Sequence, residues 1–206
     1  MTDVVVARYN ENVDWCKNFK NSRVFIYDKS GINNGWINLP NVGREAHTYL
    51  THIINNYDNL SEYVCFLQGN PFDGAKGHLN IRINELDDFN ANVDFYNLSY
   101  YTVCNLDGTP HHPNLNIDEI IFDRFFINKP QFLKFPVGAL FIASKRAILN
   151  RSKQFYIDIL NEFNRTDIDN SLTGGVNAKG NKMPWICERI WPYIFNRDYK
   201  TKYDLP

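Results

Sequence analysis

The sequence predicts an α/β fold: a single Rossmann-like domain with a central, mostly parallel mixed sheet flanked by helices. Three observations carry this. Short apolar runs at Asp3–Ala7 (DVVVA), Arg23–Tyr27 (RVFIY) and Tyr63–Leu67 (YVCFL) are continuous rather than alternating, as in strands covered on both faces. Helical spacing separates them, and a βαβαβ order predicts parallel strands with right-handed crossovers. The chain has 206 residues, of which 44% are apolar and 15% aromatic. That is enough for one sizeable core and excludes global disorder.

After the first strand, ENVDWCKNF carries Val13, Trp15 and Phe19 at helical spacing. The second strand is ended by Asp28, Lys29, Ser30 and Gly31. A long helix from about Gly43 to Tyr57 follows, with Ala46, Leu50, Ile53, Ile54 and Tyr57 recurring every three or four residues. The third strand stops at Gln68-Gly69-Asn70-Pro71. Further on, Ser99–Leu106 reads as a strand and Asp107–Pro113 (DGTPHHP) as a loop. Asp118 is placed to cap a helix reaching Phe126, and Val137–Ala143 reads as a strand. Ser144 and Ser152 are placed to cap the next two helices, the second ending near Phe163. Thr173–Lys182, rich in glycine, predicts a mobile loop. Pro184 then opens a helix bearing Trp185, Glu188, Ile190 and Trp191.

Charge and composition narrow the function classes. Lys and Arg number 22 against 23 Asp and Glu, a net charge of −1. Binding of nucleic acid needs clustered excess cation, so that class is set aside. No stretch approaches the roughly 20 apolar residues of a membrane span. The N-terminus lacks the cationic and long apolar regions of a signal peptide, so a cytoplasmic protein is expected. Cys16, Cys65, Cys104 and Cys187 are scattered, without a C-x-x-C pair, and reduced thiols are expected. Walker, GxGxxG, HExxH and GxSxG motifs are absent.

In parallel sheets, ligands bind beyond the carboxyl ends of the strands. This rule nominates Arg8–Asn12, Asp28–Gly31 and Gln68–Asp73. Asp28 has an ordinary alternative as a turn residue bonding its own backbone, and Asn10 as a helix N-cap. Arg44, in the first turn of the long helix, lies where free N–H groups and the helix dipole favour anions; its alternative is a salt bridge with Glu45.

These segments also resemble a known family. VVVARYNEN, VFIYDKSG and LPNVGREAHTYL followed by EYVCFLQGNPFD are similar, in that order, to the early strands of family-2-like, GT-A-fold glycosyltransferases. More narrowly, LPNVGREAHTYL, FLQGNPF and PWICERIWPYIF resemble a domain family of fungi, bacteria and large algal viruses. That family is similar to a chlorella-virus glycosyltransferase that uses a UDP-sugar with manganese. The resemblance spans nearly the whole chain. It implies a single GT-A-type domain over residues 1–206, with a nucleotide-binding half (1–75) and an acceptor-side half (76–206). A viral version would work in the host cytoplasm.

Carried over by residue, the resemblance implies that Ala7, Arg8 and Tyr9 meet the base and Asp28 accepts the uracil imide N–H. Gly43 and Arg44 would meet the diphosphate. Gln68-Gly69-Asn70 stands where the superfamily has its metal-binding Asp-x-Asp, and amides bring no charge to Mn²⁺ or Mg²⁺. Asp73 is the candidate missing carboxylate, with Asn70, His112, His111 and His78 as further candidate ligands. Glu188 occupies the place of the late acidic motif and is the candidate general base; its alternative is a surface Glu paired with Arg189 or Lys182. Trp185 is the candidate for stacking on a sugar. The implied activity is metal-assisted transfer from a UDP-sugar to a carbohydrate or glycoprotein-glycan acceptor, inverting if Glu188 lies on the far face of the sugar. Alternatives are a non-catalytic nucleotide-sugar or glycan-binding module, and a glycosidase using Asp73 and Glu188.

Overall fold

A computed structural model describes residues 1–74, 83–164 and 182–204. The strands are β1 (Thr2–Arg8), β2 (Arg23–Asp28), β3 (Ile37–Asn38), β4 (Tyr63–Gln68), β5 (Phe95–Asn97), β6 (Tyr101–Cys104), β7 (Leu133–Pro136) and β8 (Phe141–Ser144). Six of them form one sheet in the order β3-β2-β1-β4-β8-β5. The first four run parallel, and β8 runs antiparallel to both β4 and β5. The mostly parallel mixed sheet predicted from the βαβαβ pattern is present. β6 and β7 make a separate antiparallel pair.

Burial explains why the strand runs are continuous. Val5, Phe66 and Phe141 face a core shared with α1 (Arg44–Asn56). Val4, Val6, Cys65, Leu67 and Ile142 face a second core containing Val13, Phe19 and Phe89. α2 (Pro71–Gly74) and α3 (Ile83–Leu86) follow β4, and α3 adds Leu86 to the second core. α4 (Asp123–Phe125), α5 (Lys145–Ile148), α6 (Lys153–Asn161) and α7 (Met183–Ile194) complete the described helices. Among these, α6 and α7 join α1 over the first core through Phe155, Ile159, Ile190 and Trp191. At the amino ends of the parallel strands, Asp3 is fully buried. It accepts two bonds from Arg23 at 2.7 and 2.9 Å, and others from Ser61 N–H and O–H at 3.0 and 2.8 Å.

Several local expectations need correction. ENVDWCKNF forms only a 3₁₀ turn over Asp14–Asn18, because Asn12 Oδ1 caps the Asp14 N–H at 2.7 Å and Phe19 returns to extended backbone. Val13 and Phe19 are nonetheless buried as the spacing required, and Trp15 is half-buried. Ser99–Leu106 yields β6 outside the main sheet, and the neighbouring β5 is too short to stand out by pattern. β8 begins at Phe141, not Val137, because Gly138 (φ 78°) and Ala139 (φ 52°) interrupt extended backbone. Asp118 does not cap its helix: a π-helical turn at Asp118–Phe122 precedes α4, and the carboxylate takes Lys129 at 2.7 Å. Ser144 and Ser152 do cap, accepting from Ala147 N–H at 3.0 Å and Phe155 N–H at 3.2 Å. Residues 165–181, which hold most of the predicted glycine-rich loop, and His78 lie outside the described residues. All four cysteines are buried thiols. No helix among the described residues is long and apolar enough to cross a membrane.

Candidate functional site

Strand register brings the three nominated segments together. Arg8 lies opposite Asp28, and Ala7 opposite both Tyr27 and Gln68, so the carboxyl ends of β1, β2 and β4 form one row. Asp28 is fully buried there. Its Oδ1 accepts from Arg8 at 2.6 Å and the Ser30 N–H at 3.3 Å; its Oδ2 accepts from Ser30 O–H at 2.6 Å and Asn34 at 2.7 Å. Burial raises the Asp28 pKa, but these partners outweigh it and hold the carboxyl below its usual range. With two bonds at each oxygen, an imide N–H could reach Asp28 only by replacing one of them. Arg8 also bonds the Tyr9 and Glu11 carbonyls and lies over the Trp36 ring, 4.6 Å from its centroid. Tyr9 is exposed, and its N–H donates to Glu11 Oε2.

The third strand end connects to the late helix through backbone. Gly69 N–H donates to the Ala7 carbonyl at 2.7 Å, and a Cβ on Gly69 would meet Glu11 Oε2 at 2.6 Å, so a larger residue here would displace the Glu11 carboxylate. Gln68 donates to the Gly138 carbonyl at 2.9 Å, and Gly138 N–H donates to Glu188 Oε1 at 2.7 Å. Glu188 is thereby seated beside the end of β4, although 120 positions separate it from Gln68 (188 − 68). Its side chain is 13% exposed and lies 3.3 Å from Arg189. The Arg189 pairing weighed from sequence is therefore present, but in a buried setting. Burial raises the Glu188 pKa above the ordinary carboxylate value, with Arg189, the Gly138 N–H and Arg44 opposing.

The N-terminus of α1 closes the same row. Gly43 takes a left-handed φ of 63°, and a Cβ there would stand 2.6 Å from the Phe163 ring and 2.7 Å from His47 Cβ. Arg44 is also left-handed at φ 49°. Its guanidinium lies 4.5 Å from the Trp185 ring centroid. Lys29, buried just past β2, donates to the carbonyls of Val42 and Arg44, and burial pushes its pKa down to about 8. Trp185 also stacks on His112, with centroids 3.9 Å apart and planes 22° apart. Its ring is thus already covered by protein groups, and a sugar would have to displace one of them. His112 faces Arg189 at 3.4 Å. Burial, Arg189, His111 and Arg44 together lower its pKa.

Sequence reasoning passed over Glu45 except as an ion-pair partner for Arg44. Burial and the charge of Glu188 push its pKa up to about 7, against the pull of Arg44 and Lys29. Two carboxyls with raised pKa values therefore share the end of the sheet. Because the folded value exceeds the unfolded one, the folded chain keeps this proton more readily than the unfolded chain. The contribution is fully present below about pH 4.5 and is lost as pH rises through about 7. Glu45→Gln is expected to abolish that loss, so its Tm should exceed the parent's at pH 8 and match it near pH 4.5. An unchanged difference between the two melts across this range would mean that folding does not raise the Glu45 pKa.

Candidate metal ligands are less well gathered. Among the described residues no group of three or more His, Cys, Asp or Glu stands close enough to hold a metal ion. Asn70 follows β4 after Gly69. Asp73 lies on α2, and its side chain is outside what the structure describes. His111 is exposed, and His112 is turned toward a guanidinium. A divalent cation at His112 would face the Arg189 guanidinium, 3.4 Å from the His112 ring nitrogen, and the charge of Arg44, so His112 does not fit one.

A family model covering residues 4–204 matches the chain, under the description "Protein of unknown function (DUF3431)". The chain belongs to the DUF3431 family. No curated protein and no solved structure matches it. The DUF3431 span takes in every residue of the site described above, from Ala7 to Arg189, so both the strand ends and α7 lie within the family's domain.

Proposed function

We propose that this protein transfers a sugar from a UDP-sugar to a hydroxyl of a carbohydrate acceptor, with Glu188 as general base. The observation that carries the reading is the seating of Glu188: a buried carboxylate, oriented by the Gly138 N–H, beside the carboxyl ends of parallel strands. The sheet architecture and the sequence resemblance support it. A raised pKa suits a base, since its affinity for a proton then approaches that needed near neutral pH. As the acceptor oxygen bonds to the anomeric carbon, the bond from that carbon to the diphosphate breaks. The hydroxyl proton passes to Glu188, and UDP departs.

Arg44 and the first-turn N–H groups of α1 face the departing anion, where dipole and guanidinium act in the same direction. No step is assigned to a metal ion. The test is UDP release from a panel of UDP-sugars with oligosaccharide acceptors, run with and without Mn²⁺ or Mg²⁺. Acceptor-dependent UDP release is the expected result. UDP binding without turnover would leave a nucleotide-sugar-binding module instead, and release of free sugar from a glycan without nucleotide would indicate a glycosidase.

A further inference from the structure

A cavity of about 700 Å³ opens beside the Arg8–Asp28 pair. Its apolar floor is Val13, Cys16, Val24 and Ile26, its wall is Trp36, and Arg8 lies at its rim. These apolar side chains belong to the second core, so the cavity lies against the sheet face opposite α1 and Glu188. Its volume falls in the range of small-ligand sites, and beside the apolar residues it is lined by Arg8, Asn10, Glu11, Asn12, Asp14 and Lys17.

The charges around the cavity are already matched. Arg8 pairs with Asp28, Lys17 with Asp14, and Glu11 Oε2 takes the Tyr9 and Asn10 N–H groups. An anion would find the lining cations Arg8 and Lys17 already paired, whereas a flat uncharged ring finds an apolar floor and the Trp36 indole. Arg8 already lies over that indole, 4.6 Å from its centroid, so the ring would stack on the other face or displace Arg8. Asp28, meanwhile, has both oxygens fully engaged.

We propose that the base of the donor nucleotide lies in this cavity, stacked on Trp36, while Asp28 positions Arg8 and does not read the base. The inference rests on the nucleotide-sugar reading above and names how that donor is held. Stacking tolerates any base because every base offers a π-face. A carboxylate accepting the imide N–H would instead reject cytosine, whose N3 carries no hydrogen. A site built around such a bond rejects an analogue lacking it by about 10⁴–10⁵-fold.

The experiment is calorimetric titration of the full chain and its Trp36→Leu variant with UDP, CDP and pyrophosphate. Parent protein is expected to bind UDP and CDP within about tenfold of each other, since stacking is base-tolerant. Trp36→Leu is expected to weaken both by about 5–150-fold, the worth of one base–aromatic stack, and to leave pyrophosphate affinity unchanged. Parent protein that binds UDP but not CDP overturns the inference while the donor reading stands, and so does a Leu variant that binds UDP as the parent does. Should the Leu variant not fold, the UDP–CDP comparison on the parent decides alone. If the parent binds no UDP at all, both the inference and the transferase reading fall.

Discussion

Replacing Glu188 with Gln is expected to cut acceptor-dependent sugar transfer by about 10²–10⁴-fold, the usual contribution of a general base. The variant should bind UDP as the parent does. Gln keeps an oxygen that can accept the Gly138 N–H, now received by Oε1 at 2.7 Å, so the link from α7 to the strand end survives. What it loses is the ability to take a proton. The charge beside Arg189 goes as well, and Arg189 is only 2% exposed. That arginine retains the Trp185 carbonyl at 2.7 Å, which limits the structural cost. A kcat that falls with unchanged UDP affinity is therefore the signature sought. Full turnover in the variant would remove Glu188 from the reaction, and a parallel loss of UDP affinity would make it a binding group.

A second large effect is expected far from this site. Arg151 is 2% exposed in the turn between α5 and α6, and its guanidinium gathers the C-terminal segment. It donates to the carbonyls of Ile194 at 2.9 Å, Asn196 at 2.9 Å and Tyr199 at 2.6 Å, and to Asp204 at 3.0 Å. Arg151→Met keeps a long apolar stem but leaves these acceptors without their donor. Removing one member of a buried charged network typically costs about 3–5 kcal/mol. Denaturant unfolding should show that loss as a lower midpoint, and proteolysis should cut first in the segment after α7. A shift below about 1 kcal/mol would mean that water replaces the guanidinium at little cost.

The parallel half of the fold was legible because its signals are local. DVVVA and YVCFL are buried along nearly their whole length, RVFIY is half-buried up to Tyr27, and none of the three has a polar alternation to confuse it. Ser144 and Ser152 could be recognised as caps because a hydroxyl three residues before a free N–H is a short-range arrangement. Asp118 misled for the opposite reason. An acid before an apolar run looks like a cap whether or not a distant lysine takes the carboxylate, and Lys129 does. The break before β8 was similarly hidden, since left-handed backbone at Ala139 carries no sequence mark.

The candidate site was only partly legible. Arg8, Asp28, Gly43, Arg44 and Gln68 lie at strand or helix ends, and the rule for parallel sheets points to those places from sequence order alone. Trp36 and Glu45 carried no such signal. The importance of Trp36 depends on a cavity whose floor comes from Val13, Cys16, Val24 and Ile26, and that of Glu45 on the nearness of Glu188.

By itself, then, the order of residues determined β1, β2 and β4 and their parallel run, because continuous apolar stretches with helical spacing between them are short-range signals. It also nominated the carboxyl ends of those strands as the place to look for a ligand. Only the tertiary structure decided the state of the groups there: Asp28 saturated by Arg8, Ser30 and Asn34, Trp185 covered by His112 and Arg44, Glu188 buried and turned toward Gly138. Burial and hydrogen bonding set those states. Both depend on segments that meet only when the chain has folded.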